Sequence, residues 1–343
     1  MTDGDATPHP ARKPLRRIGL YAPFALLVVV SLAWIAAWVY GARRVDRFAD
    51  AFVAREAERG RDWLCPDRRV GGFPFRIELS CTRPQLVMRG QDGLRNEMRL
   101  GGLILHARLA APEHVIATFT GPFTSTLRQG DGDLNWKSAR ASFRLGSGAI
   151  GEMSFEMLEP RLSFGFGEQR PMKAAARAVQ FHLRPSPGDG AGTDFAGLVS
   201  DLAVAPLDEL TGTPDPLRLE IQARAPGLLV DPARRWHAVL DEWRQRGNRA
   251  RVLVLKAEKG AANIDLAGEI GLDAAHRLEG NLQGRARGLE ALTSRFARRG
   301  GLDVGGILGR LGGGGQGIPV VLAFQDGVLR YGPFPIATLA PLY

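Results

Sequence analysis

The two cysteines of the chain, Cys65 and Cys81, enclose fifteen residues that include Gly71 and Gly72. The segment can therefore double back and bring the two sulfurs together. Three chemistries are open to such a pair. Metal binding lacks ligands, because a structural zinc site wants four and the six histidines are scattered. A redox pair more often has the CxxC spacing. A disulfide is therefore expected, on condition that this part of the chain lies outside the cytosol. Closing a loop of this size stabilises by about 3 kcal/mol in the chain-entropy model.

Other chemistry is not signalled. Gly312 to Gly315 precede a strand pattern, and no GK[ST] follows them, so a hinge reading is preferred to a phosphate loop. No GxSxG elbow and no HExxH is present. Acidic pairs such as Asp241 and Glu242 fall on the wet side of a helix. The expectation is no catalytic residue, no metal and no cofactor, hence not an enzyme.

The second cysteine ends the stretch GGFPFRIELSC, in which Gly72, Phe73, Pro74, Phe75 and Arg76 lead into an alternating run. Gly71 and Gly72 are read as the turn, with Phe75, Ile77 and Leu79 facing inward. The same period of two recurs in Val115, Ala117 and Phe119, in Val179, Phe181 and Leu183, and in Leu217, Leu219 and Ile221. One oily face and one wet face per strand imply an antiparallel sheet covered on one side. Turn signals at Gly130 to Asp133, Pro185 to Gly192 and Gln325 to Gly327 make the connections mainly hairpins. Three strand-like runs lie between Val252 and Leu282, and a strand, a DG turn, a second strand and a proline-rich end close the chain.

Two amphipathic helices are expected on this sheet. In DPARRWHAVLDEWRQRG, Asp231 caps, Pro232 takes the first helical position, and Gly247 ends the helix. Its stripe of Trp236, Val239, Leu240 and Trp243 is read as core packing or, more sharply, as a ligand-facing surface. The second helix runs from about Leu289 to Arg299.

The span from Ile18 to Tyr40 carries no charged residue. As a helix it rises about 35 Å, enough to cross a bilayer. Trp34, Trp38 and Tyr40 suit the far membrane interface. Arg12, Lys13, Arg16 and Arg17 precede the span, while Arg43, Arg44, Arg47, Arg55 and Arg59 follow it. Charge alone does not set the orientation. The signal-anchor layout and the cysteine pair favour the tail inside and the body outside. A formal charge of +9 suits an anionic membrane surface, and no nucleic-acid reading motif accompanies it.

These segments divide the chain into a cytoplasmic basic tail at 1–17, a transmembrane helix at 18–40 and a juxtamembrane amphipathic helix at 41–62. The last carries Val45, Phe48, Ala49 and Phe52 on one face. A β-rich periplasmic domain follows at 63–343, with a candidate sub-boundary near Pro226. The fold class is mainly β with added helices (α+β), a large twisted antiparallel sheet behind an inner-membrane anchor.

With Gly72, Phe73, Pro74, Phe75, Arg76 and Cys81 near the start and Asp326, Gly327, Gly332 and Pro335 near the end, the chain resembles the bacterial family catalogued as domain of unknown function 2125. That resemblance implies a singly anchored envelope protein and transfers no activity. A looser similarity is to AsmA-like envelope proteins, and it implies a sheet curled into an apolar groove for lipid. The expected role is lipid handling or, alternatively, a ligand-free scaffold for envelope proteins.

Overall fold

The computed structural model describes residues 18–89, 95–127, 130–146, 150–167, 171–187, 192–230, 234–288 and 317–343. The basic tail, Asp231 and Pro232, the expected helix at Leu289–Arg299 and the Gly312–Gly315 run lie outside the described residues.

One helix, α1 (Ile18–Ala57), contains both the apolar span and the stretch expected to form a second, separate helix. Nothing between Tyr40 and Arg43 breaks it, since Gly41 and Ala42 hold no proline and no competing cap. Its membrane-length portion leaves Phe24, Leu27, Val29 and Leu32 exposed, and by length and composition it can cross a bilayer. Beyond Tyr40 the inward side is Val45, Ala49 and Glu56, whereas Phe48 points away from the body.

The body is built from β1 (Arg61–Leu64), β2 (Arg69–Gly71), β3 (Arg76–Thr82), β4 (Gln85–Arg89), β5 (Arg95–Arg108) and β6 (Ala111–Leu127). Next come β7 (Gly130–Asn135), β8 (Ser138–Leu145), β9 (Ile150–Leu158), β10 (Arg161–Gly165), β11 (Met172–Ala175) and β12 (Ala178–Pro185). β13 (Gly192–Val204) leads into α2 (Ala205–Thr211), then β14 (Leu217–Pro226) and α3 (Trp236–Gln245). β15 (Ala250–Lys259), β16 (Ala262–Leu272), β17 (Leu278–Arg287), β18 (Ile318–Gln325), β19 (Val328–Tyr331) and β20 (Phe334–Thr338) complete it.

All described pairings are antiparallel and belong to one sheet. Following the ladders, the path runs β2-β3-β5-β6-β8-β9-β12-β13-β14-β15-β16-β17-β18-β19-β20. At about 4.8 Å between strands this path is roughly 65 Å wide. The long strands β5, β6 and β13 each serve two shorter neighbours: β4 with β3, β7 with β8, and β11 with β12. β14 pairs with β15 across most of its length, so both sides of Pro226 share the sheet.

Three local readings are corrected here. The GDGD run lies in β7, paired with β6 and β10. Gly130 closes the β6–β7 hairpin opposite Leu127, and the glycines also allow close packing: a Cβ on Gly130 would sit 1.8 Å from the Gly165 carbonyl oxygen, and one on Gly132 would sit 2.6 Å from Ser125 Oγ. The proline-rich end forms β20, with Pro335 at a register shift opposite Arg330, where a missing N–H is tolerated. α2 was not signalled by its short apolar content. Lys259 holds it, reaching Asp208 Oδ1 at 2.6 Å and also donating to the Asp215 carbonyl.

Candidate functional site

Because direct cross-strand partners share a face, the registers show which residues line each side. One row begins Val70, Leu79, Leu105, Ala117, Ala141, Phe155. It continues through Phe181, Gly197, Ile221, Leu255, Leu266, Gly284 and Val320. Thirteen strands contribute, and none contributes a polar side chain. A second row on the same face passes from Cys81 through Leu103, Phe119, Ala139 and Met157 to Ile318. A third passes from Ile77 through Ala107, Val115, Phe143 and Met153 to Tyr331.

The reverse face is wet. Ser80, Ile104, Thr118, Arg140, Glu156 and Gln180 form one of its rows, continued by Leu198, Glu220, Lys256 and Asp265. Gln180 donates to Glu156 at 2.8 Å, and His182 and His114 hydrogen-bond Ser154 and Ser142. These pairs satisfy surface polar groups.

Burial along the apolar face is uneven. Ala117, Ala139 and Ala141 are buried, while Phe119, Phe143, Phe155 and Phe181 beside them stay half-buried. The face here is a floor of small side chains with rings standing on it. From β15 onward Val252, Leu266, Leu282, Ala286 and Val320 form a buried cluster, with Leu255, Ile264, Leu322 and Phe324 partly buried against it, while Ile221 of β14 is 39% exposed.

The described helices meet the sheet at three places. α1 lies along β1, β2 and β3, and α2 touches β11 and β13. α3 packs Val239, Leu240 and Trp243 against Phe195, Ala225, Ala250 and Leu272 at one end of the apolar face. Trp243 is buried and donates to the Pro226 carbonyl at 2.8 Å. Trp236 departs from the expected stripe. It is 57% exposed and meets Tyr343 edge-on at 5.2 Å, because α3 starts at Trp236 itself, before its packed turns. Gly247, at φ +70°, ends the helix as expected.

Around the end of α3, His276 stacks on Tyr343 at 4.4 Å and shares Asp241 Oδ1 with Arg244. Arg244, then His276, holds the Asp241 carboxyl below its usual range, and burial pushes the Tyr343 phenol up. This cluster ties the C-terminal residues to α3. A second tie is the Asp194 carboxylate, which accepts from Arg224 Nε at 2.8 Å and Ser186 Oγ at 2.7 Å. Arg224 first, then Ser186 and Arg184, lower its pKa.

At the anchor end, Cys65 and Cys81 form a disulfide with a Cα–Cα distance of 5.8 Å, which staples the β1–β2 connection to β3. Asp67 lies beside the sulfurs. Its carboxylate accepts the Thr82 N–H at 3.2 Å, and the Thr82 side chain first, with that N–H behind it, lowers its pKa. With both thiols consumed, that grouping offers a metal one carboxylate.

The GGFPFR stretch is placed differently from expectation. Gly72, at φ +95°, turns the chain, and Ile77 and Leu79 do lie on the apolar face. Phe75 does not face inward: it is 73% exposed and Phe73 54%. The turn protrudes past the sheet and rests on α1, where Trp38 meets Phe73 at 5.5 Å and Trp34 meets Phe75 at 6.4 Å. Only the partner helix, forty residues upstream, reveals this.

A family model described as "Uncharacterized protein conserved in bacteria (DUF2125)" matches residues 38–340. No curated protein and no solved structure matches the chain, so the AsmA-like similarity gains no support from them.

Proposed function

The chain belongs to this bacterial family of uncharacterized proteins, and on that footing we propose that it is a non-enzymatic, single-pass envelope protein that handles lipid in an apolar β-trough. The apolar rows carry this reading: they begin beside the membrane-length helix and run unbroken across thirteen strands. Acyl chains would lie over the alanine floor between the phenylalanines, and their affinity would come from apolar burial. The disulfide supports a body outside the cytosol, hence a periplasmic one with the basic tail inside.

Native mass spectrometry of the detergent-extracted chain tests the trough. Lipid should co-purify with the wild type and be lost in Ala141→Trp, whose indole would stand on the floor. A wild type free of lipid would overturn the reading.

A second reading, a ligand-free scaffold for envelope proteins, draws on β20. All five residues of that strand are exposed, including Phe334 and Ile336, and its described pairing is with β19 alone. Such an edge can add a strand from a partner. Crosslinking in intact cells from this edge should then capture one defined protein, and loss of that protein should mimic loss of this chain.

A further inference from the structure

We propose that the Phe73–Phe75 turn is a second membrane contact, an apolar wedge seated in the interface of the bilayer that α1 crosses, at the mouth of the trough. The inference rests on the anchor reading above and adds to it where the folded body meets lipid.

Depth is set by two hydrogen bonds. Trp34 Nε1–H donates to the Pro74 carbonyl at 2.8 Å, and Trp38 Nε1–H donates to the Arg76 carbonyl at 2.7 Å. Both tryptophans belong to the uncharged span that ends at Tyr40. Six helical residues separate Trp34 from that end, which places the Pro74 contact about 9 Å inside it. Wherever the uncharged span crosses, the turn is held at the level of the last two turns of that span, not of α1 as a whole.

The turn's chemistry suits that level. Phe73 and Phe75 are the most outward apolar groups of the hairpin, and water would meet both rings. Four of its carbonyls have partners within the protein, which lowers the cost of leaving water: Gly72 O accepts from Arg76 N, Phe75 O accepts from Leu109 N, and Pro74 O and Arg76 O accept from the two indoles. Pro74 brings no N–H. Just past the span, Arg43, Arg44 and Arg47 are exposed on α1, at the height of anionic headgroups.

The wedge is also continuous with the trough. Phe75 precedes Ile77 by two residues, and Ile77 opens the third apolar row. A Cβ on Gly41 would lie 2.6 Å from Ile77 Cδ1, so α1 packs directly on Ile77 at the start of this row.

The test uses the full chain in vesicles of phosphatidylcholine with a minority of phosphatidylglycerol. Phe75→Cys is labelled with an environment-sensitive fluorophore while the native disulfide stays intact, and Phe73→Cys replaces it if that variant misfolds. Phe166→Cys and Val28→Cys are labelled likewise. At position 75, quenching by aqueous iodide should be about fivefold lower than at 166, because the interface excludes most of the ion. Nitroxide placed near the lipid headgroup should quench position 75 more than nitroxide near the chain end does. Iodide quenching at 75 equal to that at 166, with Val28 quenched by deep nitroxide, would overturn the wedge and leave the anchor standing. A Val28 label untouched by lipid nitroxide would overturn both.

Discussion

Between β6 and β12, and again between β15 and β19, one face of the sheet carries the same apolar alternation, yet the two regions end differently. In the first, alanines 117, 139 and 141 are buried while phenylalanines 119, 143, 155 and 181 keep part of their rings in the open. In the second, mid-sized branched side chains close over one another around Leu282 and Val252. Glycines on that same face make the closure feasible. Gly280 has φ +136°, and a Cβ there would stand 2.2 Å from the Glu269 carbonyl oxygen; one on Gly284 would stand 1.9 Å from that of Asp265. Removing side chains at these points lets neighbours lean inward. The lesson is that polarity along a row does not separate the two regions; the size of the side chains that end up buried does.

Paired truncations would break or sharpen that contrast most strongly. Leu282 is 4% exposed inside the closed cluster, so Leu282→Ala should cost about 2–5 kcal/mol through lost burial and a residual cavity. Phe181→Ala, on the half-open side, should cost less than about 1.5 kcal/mol, since water already reaches the ring. Urea unfolding of the two variants measures the difference. Equal losses would mean that the first region is a filled core as well.

The staple at the anchor end gives the next effect. Cys65→Ala together with Cys81→Ala should lower stability by about 3 kcal/mol, and the loss should appear first in the β1–β3 region that α1 contacts. Hydrogen exchange resolves it by segment. Uniform loss across β14 to β19 would show that the two regions unfold as one unit.

Much of this architecture could be read from residue order. The disulfide followed from loop length and the absence of other ligands, and the one-sided sheet followed from period-two runs whose rows are in fact continuous. The span at Ile18–Tyr40 sits within one long helix, and the packed turns of α3 contain Val239, Leu240 and Trp243. What stayed hidden depends on distant partners. Phe75 alternates correctly with Ile77, yet it lies beyond the last strand pair and turns toward Trp34. Gly130 and Gly132 have turn-like composition, but their lack of a Cβ is used against Gly165 and Phe164 across the sheet. Phe48 follows the helical stripe, though the body lies on the neighbouring side. Whether an alternating face is roofed is a property of how strands curl, and alternation itself is blind to it.

The smallest effect concerns how the closed end of the sheet is held to its middle. Asp194, on β13, is bound by Arg224 of β14 and by Ser186 and Arg184 beside β12, and its pKa is lowered by that set. A carboxylate with a depressed folded pKa adds stability that is present above its unfolded value near 4 and is lost as pH falls through the folded one. The arginines remain largely in solvent, so screening limits the contribution to about 1 kcal/mol. Asp194→Asn should therefore lower the urea midpoint at pH 7 slightly and converge with the wild type in acid, once the pH has fallen through the lowered folded pKa. If the gap persisted in acid, the role of Asp194 would be packing of the β12–β13 connection against β14 instead of charge, and the joint between open and closed regions would owe nothing to electrostatics.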